Sequence, residues 1–208
     1  MNNLGKALYE KALKSEIVFG APGRPNAIII KDAAIYKRNF KGVDQKITPK
    51  DGGKSFTKKG RRFSLALTEE LFVALTNEKG NCSYNIWAFG GDEDPDLKLF
   101  TVEVVVNMSS SYPPNAQLYT IDAYGKMHMS EPLTDTSIGI LDDVNDYDIE
   151  RVDLVLNPYD KDKTGNFTLY LNSIKMSQKH IEDSDSYWSV GEELPDNSPR
   201  RGDDPNVD

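Results

Sequence analysis

The sequence predicts a mainly β chain: an antiparallel barrel or sandwich carrying one internal helix. Seven segments between residues 27 and 177 show the alternation or the Ile, Val and aromatic enrichment of strands. Turn signals of Gly, Pro, Asn and Asp separate them, and only one internal stretch, of about eleven residues, has helical character.

The first residues are of a different kind. Leu4, Leu8, Ala12 and Ile17 recur at near-helical spacing over 4–18, which predicts a short amphipathic helix that either covers apolar surface or docks a partner. The breakers Gly20-Ala21-Pro22-Gly23-Arg24-Pro25 then read as a linker. An Ile-rich strand is expected over 27–36. The next, 61–67, sets Phe63, Leu65 and Leu67 on one face and Arg62, Ser64 and Ala66 on the other. Thr68 can cap the helix that follows, because its hydroxyl accepts orphan amide protons, and Glu69 and Glu70 suit the positive end of the helix dipole. Leu71, Phe72 and Leu75 give that helix a buried side, and Gly80 ends it.

Further strands are predicted over 83–89, 99–108, 117–123, 149–157 and 165–177. Tyr124-Gly125-Lys126 suits one turn, residues 160–166 suit a longer hairpin loop with Gly165 at a positive φ, and an acidic loop, 141–148, separates two strands. From 179 to 208 the chain holds nine Asp or Glu against three Lys or Arg, with Pro195, Pro199 and Pro205 among them. Too few apolar groups remain there to offset the entropy of ordering, so a disordered acidic tail is expected. The organisation is thus a helix and linker (1–25), a β domain (26–178) and a tail (179–208).

Composition narrows the function. The single cysteine, Cys82, has no partner for an internal disulfide and reads as a small buried hydrophobe; with only His128 and His180 beside it, a Cys/His zinc site is excluded. No apolar run is long enough to cross a bilayer and the first residues lack the pattern of a signal peptide, so a cytoplasmic protein with no membrane partner is expected. Catalytic motifs fail in turn. Asp160, Asp162 and Gly165 start a calcium-loop pattern, but Leu171 stands where its closing Glu belongs. No phosphate-binding loop exists, and Pro95-Asp96-x-Lys98 is only a fragment of a nuclease carboxylate set within an acidic loop. Arg201-Gly202-Asp203 matches an adhesion tripeptide by chance. No nucleophile–base pair can be named, so a non-enzymatic chain without cofactors is expected.

What stands out is charge segregation. Residues 31–62 hold eleven Lys or Arg against Asp32, Asp44 and Asp51, a net of +8 in a chain of net −8. One reading is a solvated lysine-rich loop. The other is a nucleic-acid surface, since clustered cations hold phosphates and aromatic faces hold unpaired bases. Lys37, Arg38, Phe40 and Lys41 form one cluster, and Lys58, Lys59, Arg61, Arg62 and Phe63 form the second. If the two strands pair, both clusters line one groove wall. Alternation turns Phe63 toward the core with Leu65 and Leu67, leaving base stacking as its other fate; Phe40 is open to both. Trp87, Tyr112 and Tyr159 stand at or just after strand ends, where small barrels present stacking rings.

The order of these motifs resembles a known family. Lys-Arg-Asn-Phe-Lys-Gly (37–42) and Gly-Arg-Arg-Phe-Ser-Leu-Ala-Leu-Thr-Glu-Glu-Leu (60–71) come first. Leu-Asp (141–142), Val-Asp-Leu-Val-Leu-Asn-Pro-Tyr (152–159) and Gly-Asn-Phe-Thr-Leu-Tyr-Leu (165–171) follow. Together, over about residues 26–178, they resemble the single-stranded-DNA-binding proteins of tailed phages, the Enc34-like OB-fold family. The resemblance implies an OB-type barrel that coats single-stranded DNA in phage replication or recombination within the host cytoplasm. It carries Arg38, Phe40, Arg61, Arg62 and Tyr159 over as binding candidates; single-stranded RNA offers the same phosphates and bases. The tail, with Asp203, Asp204 and Asp208, looks like the acidic tails by which such proteins recruit replication enzymes and occupy their own groove, but it lacks their terminal Phe. A phage assembly protein binding an acidic partner is the competing reading, with a metal-dependent nuclease behind it.

Overall fold

The computed structural model describes residues 3–49, 53–90, 97–122, 124–160 and 163–179. Helix α1 (Asn3–Ala12) is followed by β1 (Glu16–Ala21), β2 (Arg24–Lys31), β3 (Ala34–Asn39), β4 (Gln45–Ile47), β5 (Phe56–Lys58) and β6 (Arg61–Leu67). Helix α2 (Glu69–Lys79) precedes β7 (Asn81–Cys82), β8 (Tyr84–Ala88), β9 (Lys98–Val106), β10 (Asn115–Ile121) and β11 (Met127–Met129). One 3-10 turn (Ile138–Asp142) and the long pair β12 (Ile149–Tyr159) and β13 (Asn166–Gln178) complete the chain. The fold is mainly β, with α2 inside it and α1 at its start.

Local chemistry explains several of these bounds. Thr68, extended at φ −65° and ψ 164°, accepts the Leu71 amide at 3.3 Å, and Gly80 at φ +97° ends α2 by donating to Thr76 O. The first 25 residues differ from expectation. The helix stops at Ala12, and Ile17 belongs to β1. The supposed linker is the tight turn of the β1–β2 hairpin, in which Ala21 faces Arg24 and both Gly20 and Gly23 take positive φ.

The main sheet runs β1-β2-β12-β13-β9-β6-β3, and β4 and β5 form a separate two-stranded ladder. Most pairings are antiparallel, and β13 lies parallel to β7, β9 and β10. The ladders do not close into a ring, since β1 and β3 are the two ends of the path. The chain itself brings those ends together. β2 pairs with β12, and β3, two residues later, pairs with β6. At the joint Asp32 sits at φ +50° and donates its amide to Asp153 Oδ1 (3.0 Å), while Ala33 donates to Val152 O (2.7 Å). β2 and β3 are therefore two halves of one kinked strand serving both edges. With β6, β9, β13 and β12 it makes the five-stranded, partly open Greek-key barrel of the OB type.

The barrel interior takes Ile28, Ile30, Phe63, Leu65, Leu67, Val104, Leu154, Leu156 and Ile174, each fully enclosed or nearly so. Cys82 is also buried, and burial pushes its thiol up to about 11, leaving no thiolate at neutral pH. A second, smaller cluster lies on the outside of the sheet. There Leu8 and Ala12 of α1 pack on Ala34, Tyr36, Ala66, Phe89 and Leu99. Ala34 and Ala66 face each other across β3 and β6, which lets the helix approach; a Cβ on Gly5 would stand 2.6 Å from Phe89 Cβ. Helix α1 thus covers one end of the outer face of β3, β6 and β9.

Phe40 and Phe63 stack on each other in the core at 5.5 Å between centroids. Replacing either with Ala should cost about 3–5 kcal/mol of stability by urea unfolding, as large-to-small changes in packed cores do. A cost under about 1 kcal/mol would show that the ring is not a core element.

Candidate nucleic-acid interface

The predicted pairing of the two cationic segments is present, with Asn39 opposite Arg62 across β3 and β6. Between Tyr36 and Asn39 the ladder bulges, and Lys37 there holds a positive φ of 48°. The bulge separates two neighbouring cations. Lys37 is exposed, its ammonium 5.3 Å from the centroid of the Tyr36 ring. Arg38 is withdrawn, its side chain only 9% exposed, and its fork donates to Leu141 O (2.7 Å), Val144 O (2.6 Å) and Asp146 Oδ1 (2.7 Å).

Much of the basic stretch is spent in this way. Arg61 donates to Phe40 O (2.6 Å), Asp135 Oδ1 (2.6 Å) and Asp135 O (2.8 Å). Lys41 pairs with Asp143, a hydrogen bond that raises its pKa. The Asp142 carboxylate accepts the Phe40 and Lys41 amides at 2.9 and 2.8 Å. Arg38 and Lys41 therefore fasten the end of β3 and the residues after it to the acidic loop before β12, and Arg61 ties Phe40 to Asp135. Phe40 and Phe63, both 0% exposed, take the core fate of the two open to them. Freeing a core Phe costs about 3–5 kcal/mol, whereas stacking on one base returns about 1–3 kcal/mol. Packing wins.

Lys37, Lys58 and Arg62 line an open groove of about 410 Å³ beside the end covered by α1. Its floor is the outward side of β6, β9 and β8, with Arg62, Ser64, Glu103, Thr101 and Asn85. Gln45, Ile47 and Lys58 from the β4–β5 arm form one wall, and Lys37 stands at the rim. Lys58 and Arg62 both pair with Glu103, Arg62 at 3.1 Å. Lys59 is exposed on the arm. Along the same outward face Trp87 follows Asn85, opposite Leu99, and its ring stacks on Tyr36 at 5.6 Å and 27°. Lys37, Tyr36 and Trp87 thus make a continuous cation–ring–ring stack with Trp87 half-buried.

The other two aromatic candidates lie elsewhere. Tyr112 is 91% exposed between β9 and β10, and Tyr159, at the end of β12, meets Tyr170 edge-on at 6.1 Å. None of Trp87, Tyr112 and Tyr159 is among the groove's lining residues; Trp87 stands beside them on the same face. Asp203, Asp204 and Asp208, with the rest of the predicted tail beyond Lys179, lie outside the described residues, as does the acidic loop 91–96. Several lining residues escaped the sequence reading: Ser64, Asn85, Thr101 and Glu103. Glu103 had left a sign, a lone charge in the apolar run Phe-Thr-Val-Glu-Val-Val-Val of β9. Among the described residues no three His, Cys, Asp or Glu side chains gather as a metal site, and no helix is long and apolar enough to cross a membrane.

No family model matches the chain, and no curated protein matches it. Solved structures of the single-stranded DNA-binding protein from bacteriophage Enc34 do overlap it. The complex with ssDNA shares 11% identity at a TM-score of 0.33, covering 75% of this chain and 88% of that one. The C-terminal truncation shares 12% at 0.35 over 80% and 97%, and a further structure of the protein 10% at 0.36 over 83% and 99%.

Removing the Arg38 fork leaves two backbone carbonyls without their donor. Arg38→Ala should lower stability by about 1–3 kcal/mol in urea unfolding, while Lys59→Ala stays within about 0.5 kcal/mol. Equal, negligible effects would show that Arg38 is not a fastener.

Proposed function

We propose that this chain binds single-stranded nucleic acid, DNA in the first instance, without sequence preference and without catalysing a reaction. The observation that carries the reading is the groove itself. Lys37, Lys58 and Arg62 border a floor of small polar groups, and the Tyr36–Trp87 stack continues the same face. Cations that track a backbone, beside a ring that accepts any base, are what sequence-tolerant single-strand binding needs. The outward face of the second and third barrel strands, here β6 and β9, with the loop between the first and second, here the β4–β5 arm, is also where OB-type barrels take their ligands.

On this reading the phosphates are met by Lys37, Lys58, Arg62 and the exposed lysines of the arm, and a base stacks on Trp87. Coating and protecting single strands in phage replication or recombination is the role that fits. The acidic tail would compete with the strand for the groove and offer replication proteins a docking segment.

The electrostatic term should be weaker than a net charge of +8 suggests, because Arg38 and Arg61 are spent on partners within the fold. Each phosphate neutralised on a single strand contributes about −0.7 to the log–log salt slope, so oligo-dT binding should give a slope of roughly −2 to −4. A gel shift comparing single-stranded DNA, duplex DNA and single-stranded RNA should favour the single strands, and magnesium should bring no cleavage. Preference for duplex, or an affinity indifferent to salt, would overturn the proposal.

A further inference from the structure

Glu103 is the one carboxylate among the groove's lining residues, and its two oxygens serve two different cations. Oε1 accepts from Arg62 Nη1 at 3.1 Å, and Oε2 accepts from Lys58 Nζ. Arg62 belongs to the barrel floor and Lys58 to the arm, so a single side chain ties the two together. The arm is a ladder apart from the main sheet. Its strands β4 and β5 pair only with each other among the described residues. Its base is set by Asn39, which is 4% exposed: Asn39 Oδ1 accepts the Val43 amide and Nδ2 donates to Val43 O, both at 2.9 Å. Gly42 and Gly60, at φ +73° and +85°, stand at the two ends of the arm, in a region that a side chain rarely adopts.

We propose that Glu103 is a built-in stand-in for a backbone phosphate. Two anionic oxygens shared between an ammonium and a guanidinium are what a phosphodiester also presents, so the space between Lys58 and Arg62 is a phosphate subsite filled by the protein's own carboxylate. In the free chain that carboxylate latches the arm onto the floor. A strand entering the groove takes over both cations, Glu103 swings into solvent, to which its side chain is already 36% exposed, and the arm is released to close on the strand. The apparent affinity is then lower than the groove could support, by the worth of a partly exposed ion pair. This inference rests on the nucleic-acid reading above.

The test uses the full chain with Glu103→Gln, Lys58→Gln and the double variant. Two readouts are taken: hydrogen exchange of the β4 and β5 amides without nucleic acid, and oligo-dT affinity at low salt. Glu103→Gln should speed exchange in the arm and tighten oligo-dT binding about fivefold, as the worth of one such ion pair allows. In the Lys58→Gln background the gain should fall by half or more. Unchanged exchange in the arm would overturn the latch. So would binding that is equal or weaker in Glu103→Gln, or a full gain that survives without Lys58, which is a mere change of overall charge. If the unaltered chain fails to bind oligo-dT, the nucleic-acid reading falls, while the exchange result still judges the latch.

Discussion

The kink at Asp32–Ala33 is the constraint on which the barrel depends. A strand that ran straight from Arg24 to Asn39 could edge only one side of the sheet. By turning at a positive φ, with Asp32 held by Asp153 and Ala33 by Val152, the chain pairs first with β12 and then with β6. Ser15 Oγ adds a 2.8 Å hydrogen bond to Asp32 O, tying the end of α1 to the same joint. The path from β12 through β13, β9 and β6 returns to the strand it left. The enclosed space takes the apolar faces of all five strands, and the outward face of β6 and β9 is left for other uses. One half of that face is covered by α1, and the other half is the groove.

Charge is distributed on the same principle. The arginines of the basic stretch mostly face inward, where a planar fork can satisfy carbonyls and carboxylates together: Arg38 on Leu141, Val144 and Asp146, Arg61 on Phe40 and Asp135. The lysines face outward. Lys37 and Lys59 are exposed, and Lys58 reaches across the groove. The cations between residues 31 and 62 therefore divide in two: Arg38 and Arg61 fasten the distant segment 135–146, and Lys37, Lys58 and Arg62 line the outward groove.

This division shows what was legible in the sequence. Strand β6, the capped helix α2 and the hairpin β12–β13 follow from alternation, a Thr cap and a positive-φ Gly, all local signals. The inward turn of Phe63 was legible too, from its phase with Leu65 and Leu67. Arg38 was not, because its partners lie more than a hundred positions on and a bulge at Lys37 decides which of two adjacent cations turns inward. The breakers at 20–25 carry the same signal for a linker as for a hairpin turn; only the pairing of β1 with β2 separates them. The strands of the arm are three residues each, too short for any periodicity to declare them.

The central claim is that the outward face of β6, β8 and β9 receives a single strand. Amide chemical-shift mapping on titration with oligo-dT tests it most directly. The account predicts that Arg62, Ser64, Asn85, Trp87 and Thr101 shift together with Lys58, while β1 and β12 stay unmoved. Shifts confined to β1, β12 or the β10–β11 hairpin, with the groove floor silent, would contradict it.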